Sequence, residues 1–343
     1  MSNIPLMNAR FFGPLSKILG DIGGQNVVSR AWGAVGLSQD AIEERPVFIP
    51  YRLQAEFVES AARQLGARHM GAVLGKKLEY PYLNIYADYV LSAPNLLGGL
   101  ARGTKALRFI ISGAKVHGLL NGGYLRLQYE AGIGNADGAR HISEGIPHLL
   151  CDLVRRYVGP QWHPAWVELD ERTLPSMAAA LEDSYQAPVV VGAALPAIAI
   201  PTNDLLAPNP KPPVARTAIL FGDLRALVRS RPPSTMTGIV RETISLNLRL
   251  GDSSEEGVAH RLCLGHRTIQ RKLRIEGTSF REVRRLVLEQ RARRLLIETE
   301  HSVGEIADAL GYNEVNSFRR AFECWAGVSP TQFREALTRR LDG

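Results

Sequence analysis

Cysteine is scarce in this chain, with three residues among 343. Cys151, Cys263 and Cys324 stand far apart, and each has apolar neighbours in the sequence. This pattern favours reduced thiols packed in a protein core over a disulfide framework or a zinc site. We therefore expect a cytoplasmic protein that has neither structural disulfides nor a bound metal.

Long hydrophobic runs are also missing. The most apolar stretch, Ala187 to Ile200, is interrupted by Pro188, Gly192 and Pro196, so it is unsuited to a membrane-spanning helix. The N-terminus carries little positive charge and has no long apolar core, which disfavours a secretory signal. These patterns predict no membrane association.

Motifs for catalysis and for cofactor binding are absent as well. Gly20 to Gly24 lacks the lysine and Ser/Thr of a phosphate loop, no GxGxxG follows a predicted strand, and no GxSxG elbow occurs. The eight histidines form no set with zinc-ligand spacing. Cys151 lies in an apolar helical segment without an adjacent histidine that would activate it. We therefore predict no catalytic residue, no cofactor and no enzyme activity.

Positive charge, in contrast, is present and concentrated. The chain has 41 Lys and Arg against 34 Asp and Glu, a net charge of +7. The window from His266 to Arg294 holds ten of the basic residues and three acidic ones, so it accounts for the whole excess. A local basic cluster indicates nucleic-acid binding more strongly than overall charge does.

Residues 1 to about 200 combine strand and helix patterns. Tyr124 to Glu130 alternates as a strand does, and the glycine-rich segment after it predicts a turn. Six prolines fall between Pro196 and Pro213, a density that blocks both helix and sheet and predicts a linker. Beyond it, every segment has helical spacing. Other predicted elements are helices at Gln54–Gln64, Leu96–Gly113, His148–Tyr157, Ala215–Arg229 and Thr235–Leu250, and strands at Trp166–Leu169 and Pro188–Val191.

The predicted fold is therefore an α+β N-terminal domain followed by an all-α C-terminal domain with two helix-turn-helix motifs. We place the first domain at residues 1–207, a proline-rich linker and linking helix at 208–234, and the helical domain at 235–340.

The helical domain contains an internal repeat with a period near 49 residues. Val258-Ala259-x-x-Leu262 recurs as Ile306-Ala307-x-x-Leu310, and Ile269 to Leu273 recurs as Phe318 to Phe322. Such repetition indicates two copies of one structural unit.

Each copy has the parts of a helix-turn-helix. Ser302-x-x-Glu305 has the pattern of a capping box, and Ser253-x-x-Glu256 predicts a cap in the first copy. Gly311 follows the first helix of the second copy, where a tight turn needs positive φ. The second helix of each copy has an apolar stripe, predicted to face the core: Ile269 and Leu273 in the first copy, and Phe318, Phe322 and Trp325 in the second.

The opposite faces of these second helices carry arginine, glutamine and asparagine. Arginine pairs with guanine, and glutamine or asparagine with adenine, through two hydrogen bonds in the major groove. A solvated charged face is the ordinary explanation for one such helix, but two capped copies in succession favour DNA reading. The outward residues are Arg267, Gln270, Arg271 and Arg274 in the first copy and Asn316, Arg319, Arg320 and Glu323 in the second.

Two segments carry a family resemblance: HRTIQRKLRIEGTSFREV at 266–283 and SVGEIADALGYNEVNSFRRAFECWAGVSPTQFR at 302–334. They resemble the DNA-binding domain of the AraC/XylS family of transcription regulators, over about Thr235 to Arg340. The resemblance implies seven helices, with one long helix at about Phe280 to Glu298 joining the two helix-turn-helix units, and recognition helices in successive major-groove segments of double-stranded DNA.

Carried over by position, the resemblance assigns base contacts to both recognition helices and phosphate contacts to their edges. Val315 departs from the pattern, since a polar reader often stands there. The implied base readers are Arg267, Gln270, Arg271, Asn316, Arg319 and Arg320, and the implied phosphate contacts are His266, Thr268, Arg274 and Ser317.

The N-terminal part resembles the sensor domain of the AraC subgroup that includes ornithine-utilisation and mycobacterial virulence regulators. The run WHPAWVELDERTLP at 162–175 carries this resemblance, together with the proline-rich exit. It implies a homodimer, a small-molecule effector and activation through RNA polymerase. Two alternatives stay open: an enzyme fused to a DNA-binding domain, with Cys151 as nucleophile, and a regulator without an effector. Tyr80, Tyr82, Tyr86 and Tyr89 are expected to pack in the core, with an effector pocket as the alternative.

Overall fold

The computed structural model describes residues 4–43, 47–212, 219, 221–222, 224 and 232–341. The chain forms two compact units, unit 1 at Met1–Pro232 and unit 2 at Pro233–Gly343. The helix predicted at Ala215–Arg229 falls on positions that, apart from a few isolated ones, lie outside the described residues. In the described parts of the chain, no helix has the length and apolar character needed to cross a membrane.

Unit 1 begins with a small antiparallel sheet. Its strands are β1 (Leu6–Asn8), β2 (Phe48–Pro50) and β3 (Ile111–Ser112), in the order β2-β1-β3. All six residues of β1 and β2 are buried, so this sheet lies inside the unit. Nearby, the rings of Phe12 and Trp32 pack with centroids 4.6 Å apart.

A larger sheet has five strands in the order β4-β5-β8-β6-β7. Its neighbours are antiparallel except β6 and β7, which are parallel. The alternation at Tyr124–Glu130 is a strand as predicted, and its core face carries Leu125, Leu127 and Tyr129. The strands are β4 (Lys115–Asn121), β5 (Tyr124–Glu130), β6 (Val167–Asp170), β7 (Val189–Ala193) and β8 (Ala197–Pro201).

Unit 1 also contains helices, some of which pack against the larger sheet. Two of them pack very closely, because a Cβ on Gly75 would come within 2.6 Å of the carbonyl oxygen of Gly145. The prediction of one helix over Leu96–Gly113 is wrong, since the α-helix ends at Ala106 and the chain then enters β3 in the small sheet. The helices are α1 (Gly13–Gly23), α2 (Gln25–Ala34), α3 (Gln39–Glu43), α4 (Arg52–Leu65), α5 (Met70–Lys77), α6 (Asn84–Leu91), α7 (Leu96–Ala106), α8 (Ala139–Val158) and α9 (Ala178–Tyr185).

Every regular element in the described part of unit 2 is a helix, so the predicted α+β and all-α fold classes are confirmed. The long helix has the predicted bounds, Phe280–Glu298. The seven α-helices of this part are α10 (Met236–Leu250), α11 (Glu255–Leu262), α12 (His266–Ile275), α13 (Phe280–Glu298), α14 (Val303–Ala309), α15 (Val315–Ala326) and α16 (Pro330–Leu341).

Candidate nucleic-acid interface

Helices α11 and α12 form the first helix-turn-helix. Ile269 and Leu273 lie one turn apart on α12, and both are fully buried. On α11, Val258 is fully buried and Leu262 is 2% exposed. Residues spaced by four lie on one face of a helix, so this packing fixes which face of α12 is turned outward.

The outward face of α12 carries the predicted residues. Arg267, Gln270, Arg271 and Arg274 are all exposed. Within the described residues, the three arginines have no ion-pair partner, so their guanidinium groups keep all their donors available.

Gln270 is different, because a neighbouring carboxylate already holds it. Its side-chain amide donates to Oε1 of Glu255, at the start of α11, over 2.9 Å. The same oxygen lies 3.9 Å from Nδ1 of His266. No sequence pattern indicates this contact, which places a negative charge beside a predicted base reader.

The predicted cap of α11 needs correction. Ser254, not Ser253, is the N-cap, and its hydroxyl accepts a hydrogen bond from the amide of Gly257 over 3.0 Å. Ser253 is buried, and its carbonyl oxygen accepts from Nε of Arg284 over 3.3 Å. Only Ser253 has a glutamate three residues later, but the extended backbone of Ser254 places the Ser254 hydroxyl over the first turn, so Ser254 caps the helix without a capping box.

The second helix-turn-helix consists of α14 and α15. The predicted capping box is present: Oγ of Ser302 accepts from the amide of Glu305, and Oε2 of Glu305 accepts from the amide of Ser302 over 2.7 Å. Phe318 and Phe322 are fully buried, and the Phe322 ring meets the ring of Phe333 edge-on at 5.4 Å. Aromatic packing therefore fixes the orientation of α15.

The outward face of α15 carries Asn316, Arg319 and Arg320, all exposed. Nη1 of Arg319 lies 3.5 Å from Oδ1 of Asn316, and Nη2 of Arg320 lies 3.4 Å from Oγ of Ser317. These contacts are long and weak, so the side chains remain available to a ligand. Val315 is 36% exposed at the start of the helix.

Two charged residues of unit 2 have structural positions that sequence reasoning missed. Glu276 accepts hydrogen bonds from the amides of Met236 and Thr237 over 2.7 and 2.8 Å, so it joins the end of α12 to the start of α10. Partial burial raises the pKa of this carboxyl, but the bonds from Thr237 and Met236 outweigh it and leave the pKa below its ordinary value. Arg334 donates to the carbonyl oxygen of Leu296, in the last turn of α13, and to that of His301, beyond the end of the helix.

Part of the basic window from His266 to Arg294 is paired within α13. Arg285 bonds Glu282 over 2.8 Å and Glu289 over 3.0 Å, and Arg293 also bonds Glu289 over 3.0 Å. These i,i+3 and i,i+4 pairs support the long helix. The arginines on the outward face of α12, in contrast, have no ion-pair partner among the described residues.

The cysteines divide into two kinds. Cys151 is buried as predicted, and burial raises the pKa of its thiol to about 12, so it is no ready nucleophile. The prediction that Cys263 and Cys324 pack in the core is wrong, since both are exposed. Cys263 ends α11 with a left-handed backbone at φ 51°, and Cys324 follows the exposed Glu323 on α15. Among the described residues, no cluster of three or more His, Cys, Asp or Glu side chains is arranged to hold a metal ion.

In unit 1, Tyr80, Tyr86 and Tyr89 are buried, which agrees with the core interpretation of the tyrosine cluster. The hydroxyl of Tyr86 donates to the carbonyl of Gly103 over 3.1 Å. Tyr82 differs, since 43% of it is exposed.

An open surface cavity of about 400 Å³ lies at the glycine-rich segment before α8. Asp137, Arg140 and Arg172 line it together with Glu59. Burial raises the pKa of Glu59, but bonds from Arg63 and the charges of His141 and Arg140 outweigh it and lower the pKa overall. The cavity therefore presents carboxylates and guanidinium groups side by side.

Family models match both units. Residues 258–336 match the helix-turn-helix domain model, and residues 28–209 match the arabinose-binding domain of AraC transcription regulator, N-term. The chain is 40% identical over 76 residues to the HTH-type transcriptional regulator VqsM of Pseudomonas aeruginosa, a match that covers 22% of this chain and 23% of VqsM. It is 37% identical over 89 residues to the Ornithine utilization regulator of the same organism, covering 26% of each.

Among solved structures, the transcriptional regulator CdpR from Pseudomonas aeruginosa is 18% identical, with a TM-score of 0.40, over 91% of this chain and 97% of CdpR. The matched segments span about a quarter of the length of the two curated relatives. The N-terminal match alone covers more than half of the 343 residues. The chain therefore belongs to the AraC family of transcription regulators.

Proposed function

We propose that this protein is a sequence-specific regulator of transcription that reads double-stranded DNA with α12 and α15. The observation that carries the proposal is the division of both helices into two faces. Ile269 and Leu273, like Phe318 and Phe322, are buried, while arginine and amide side chains occupy the opposite exposed faces. A helix fixed from behind in this way can enter a major groove without rearranging its core.

The exposed residues divide into two proposed roles. Arg267, Gln270 and Arg271 on α12 read base edges, where a pair of hydrogen bonds contributes about 1–3 kcal/mol of discrimination. Arg274, at the far end of α12, contacts phosphate, which supplies affinity without sequence information. On α15 the base readers are Asn316, Arg319 and Arg320.

Selection of binding sites from a randomised duplex library tests these roles with the full chain. Arg271→Ala is expected to relax the preference at particular base positions. Arg274→Ala is expected to keep the selected sequence, to weaken all duplexes alike and to flatten the dependence of affinity on salt. Arg294→Ala is the matched control, because it removes an exposed arginine of α13. An unchanged preferred sequence for Arg271→Ala would show that α12 does not read bases.

The remaining parts of the proposal concern regulation. We propose that the chain acts in the cytoplasm as a homodimer, that unit 1 binds a small-molecule effector, and that the DNA-bound protein activates transcription through RNA polymerase. Two linked DNA-binding domains raise the effective concentration at paired sites, which favours a dimer. An effector then acts by shifting the population between two conformers of the chain.

The cavity at the start of α8 is our proposed effector site. Arg140 and Arg172, which pair with Glu59 and Asp170, suit a carboxylate that competes for them, and Asp137, which pairs with Arg63, suits an amine. The lining therefore favours a small polar ligand that carries charge. About 400 Å³ lies within the range of known small-molecule sites. The buried thiol of Cys151 gives no comparable support to an enzyme.

Thermal unfolding of the full chain against a panel of amino acids and small carboxylates tests this site. A ligand present at 100 times its Kd stabilises the folded state by about 2.7 kcal/mol. Arg140→Ala is expected to abolish the stabilisation, while Arg30→Ala, an exposed arginine of α2, leaves it intact. Equal stabilisation of the wild-type chain and Arg140→Ala would place the ligand elsewhere.

A further inference from the structure

Strand β4 is an open edge of the five-stranded sheet. Among the described residues its one strand neighbour is β5, which it pairs without any shift from Lys115↔Glu130 to Asn121↔Tyr124. The strand is therefore long and regular, and its outer row of backbone donors and acceptors faces away from the sheet. An edge of this kind is a template for pairing with another strand.

Apolar side chains are exposed on both faces of this edge. Leu120, which lies opposite the buried Leu125 on the core face, is 70% exposed, and Leu119 on the other face is 47% exposed. The core face of the sheet is thus uncovered where it reaches β4. Exposed leucines beside unpaired backbone groups indicate a surface that another chain covers.

The opposite edge strand, β7, also exposes an apolar side chain, Val190 at 51%, but its backbone is irregular. The pairing of β7 with β6 shifts register between Leu169 and Asp170, and Gly192 in β7 has φ +82°. Such irregularity hinders the addition of a further strand. The contrast assigns the docking function to β4.

We propose that β4 pairs antiparallel with β4 of a second copy of this chain, centred on Gly118, so that two five-stranded sheets become one continuous sheet. This proposal rests on the proposed homodimer and names its interface. A two-fold axis perpendicular to the sheet passes between the two Gly118 residues, as a symmetric dimer requires.

The sequence of β4 fits this register. It places Val116 opposite Leu120 of the second copy on the core face, and His117 opposite Leu119 on the other face. Lys115 lies opposite Asn121, so the two lysines are far apart and do not repel each other. All seven residues of the strand pair in this register, and the core face of one sheet continues into the core face of the other. A shift of the register by one residue would instead place the core face of one sheet beside the opposite face of the other.

Light scattering during size-exclusion chromatography of the full chain tests the interface. The wild-type chain is expected to elute as a dimer, and Leu120→Lys to raise the dimer dissociation constant by about tenfold or more, because two ammonium groups would enter the interface. Leu206→Lys is the matched control, since Leu206 is equally exposed at 70% outside the sheet. A dimeric Leu120→Lys chain, or a monomeric wild-type chain, would overturn the proposal.

Cross-linking tests the register without replacing Leu119 or Leu120. In a Cys263→Ser/Cys324→Ser background, Gly118→Cys is expected to form an intermolecular disulfide, because the two residues lie directly opposite each other. Asn121→Cys should not, since it lies opposite Lys115. Cross-linking of Asn121→Cys but not Gly118→Cys would refute this register.

Binding to a short duplex that holds one recognition site separates the two proposals. Leu120→Lys is expected to bind this duplex with the wild-type affinity, because α12 and α15 lie outside unit 1. If Leu120→Lys stays dimeric while Arg271→Ala loses sequence preference, the interface assignment fails and the DNA-binding proposal stands. If Leu120→Lys is monomeric while Arg271→Ala keeps its sequence preference, the DNA-binding proposal fails and the interface assignment stands.

Discussion

The two helix-turn-helix units share one plan but differ in how their recognition helices are held. Helix α12 is anchored by the aliphatic Ile269 and Leu273, and its arginines have no ion-pair partner among the described residues. Helix α15 is anchored by the aromatic Phe318 and Phe322, and its polar side chains contact one another. The same fold therefore supports a more strongly charged outer face in the first copy and a bulkier core in the second.

This difference implies a division of labour between the copies. Free guanidinium groups favour strong and specific DNA contacts by α12, whereas the exposed Val315 at the start of α15 offers an apolar contact for a thymine methyl group. The second copy joins α13 and α16 through one core cluster, which includes Leu296, Ile306 and Phe322. We thus expect mutations to affect specificity most in the first copy and stability most in the second.

The largest effect is expected from Phe318→Ala. Removing this buried ring should destabilise unit 2 by about 3–5 kcal/mol, because the free energy gained by burying the ring is lost and a cavity is left in the core. The equivalent Ile269→Ala should cost less, because Phe318 also makes ring contacts with Tyr312 and Phe322. Hydrogen exchange of the full chain, followed by mass spectrometry on peptides of unit 2, measures both. An equal or larger loss of stability for Ile269→Ala would contradict the comparison.

The next effect concerns specificity. Arg267→Ala/Arg271→Ala should reduce discrimination between the selected site and random DNA by more than Arg319→Ala/Arg320→Ala does, with about 1–3 kcal/mol for each bidentate pair of hydrogen bonds that the variant removes. Competition binding at fixed salt measures both double variants against the same duplex. A larger reduction for the α15 variant would reverse the assignment of the first copy as the main reader.

The sequence predicted the capping box of the second copy and the buried faces of the helices in both copies, because the patterns that indicate them are local. The capping box at Ser302 and the inward and outward faces of both recognition helices follow from residues within one or two turns of each other, which helix periodicity and capping chemistry determine. The family resemblance added the bounds of the long helix and the distinction between base contacts and phosphate contacts.

The contacts that sequence reasoning missed are those between distant residues. Glu276 reaches the start of α10, forty positions earlier in the chain, and Arg334 reaches the carbonyl of Leu296, thirty-eight positions earlier. No local pattern distinguishes them from solvated charges. The helix over Leu96–Gly113 failed for the same reason, because pairing of β3 with β1 overrides local helix preference after Ala106.

A smaller effect is expected from Glu276→Ala, which removes the bond between α12 and α10. Loss of an acceptor for two helix N-terminal amides costs about 1 kcal/mol. Because the pKa of Glu276 is lowered from 4.5 in the folded state, its contribution is present above that value and is lost as the pH falls through the folded pKa. Urea unfolding at pH 7 and at low pH measures this.

Ser302→Ala provides the counterpart in the second copy, because it removes the hydroxyl of the capping box there. If Glu276→Ala loses the same stability at both pH values, the carboxylate is not the stabilising form. If only Ser302→Ala weakens the chain, the first copy does not depend on its bond to α10.

The smallest effect is expected from Glu255→Ala, and its sign is opposite to the others. Glu255 holds the amide of Gln270 and places a negative charge beside the proposed DNA surface. Its removal frees the amide and reduces repulsion of phosphate, so affinity for DNA should rise about two- to fivefold, corresponding to roughly 0.4–1 kcal/mol. Glu256→Ala, one residue along α11 in the same first turn, is the matched control. Fluorescence anisotropy at two salt concentrations measures the change, and lower affinity for Glu255→Ala would show that Glu255 positions Gln270 for DNA instead of competing for it.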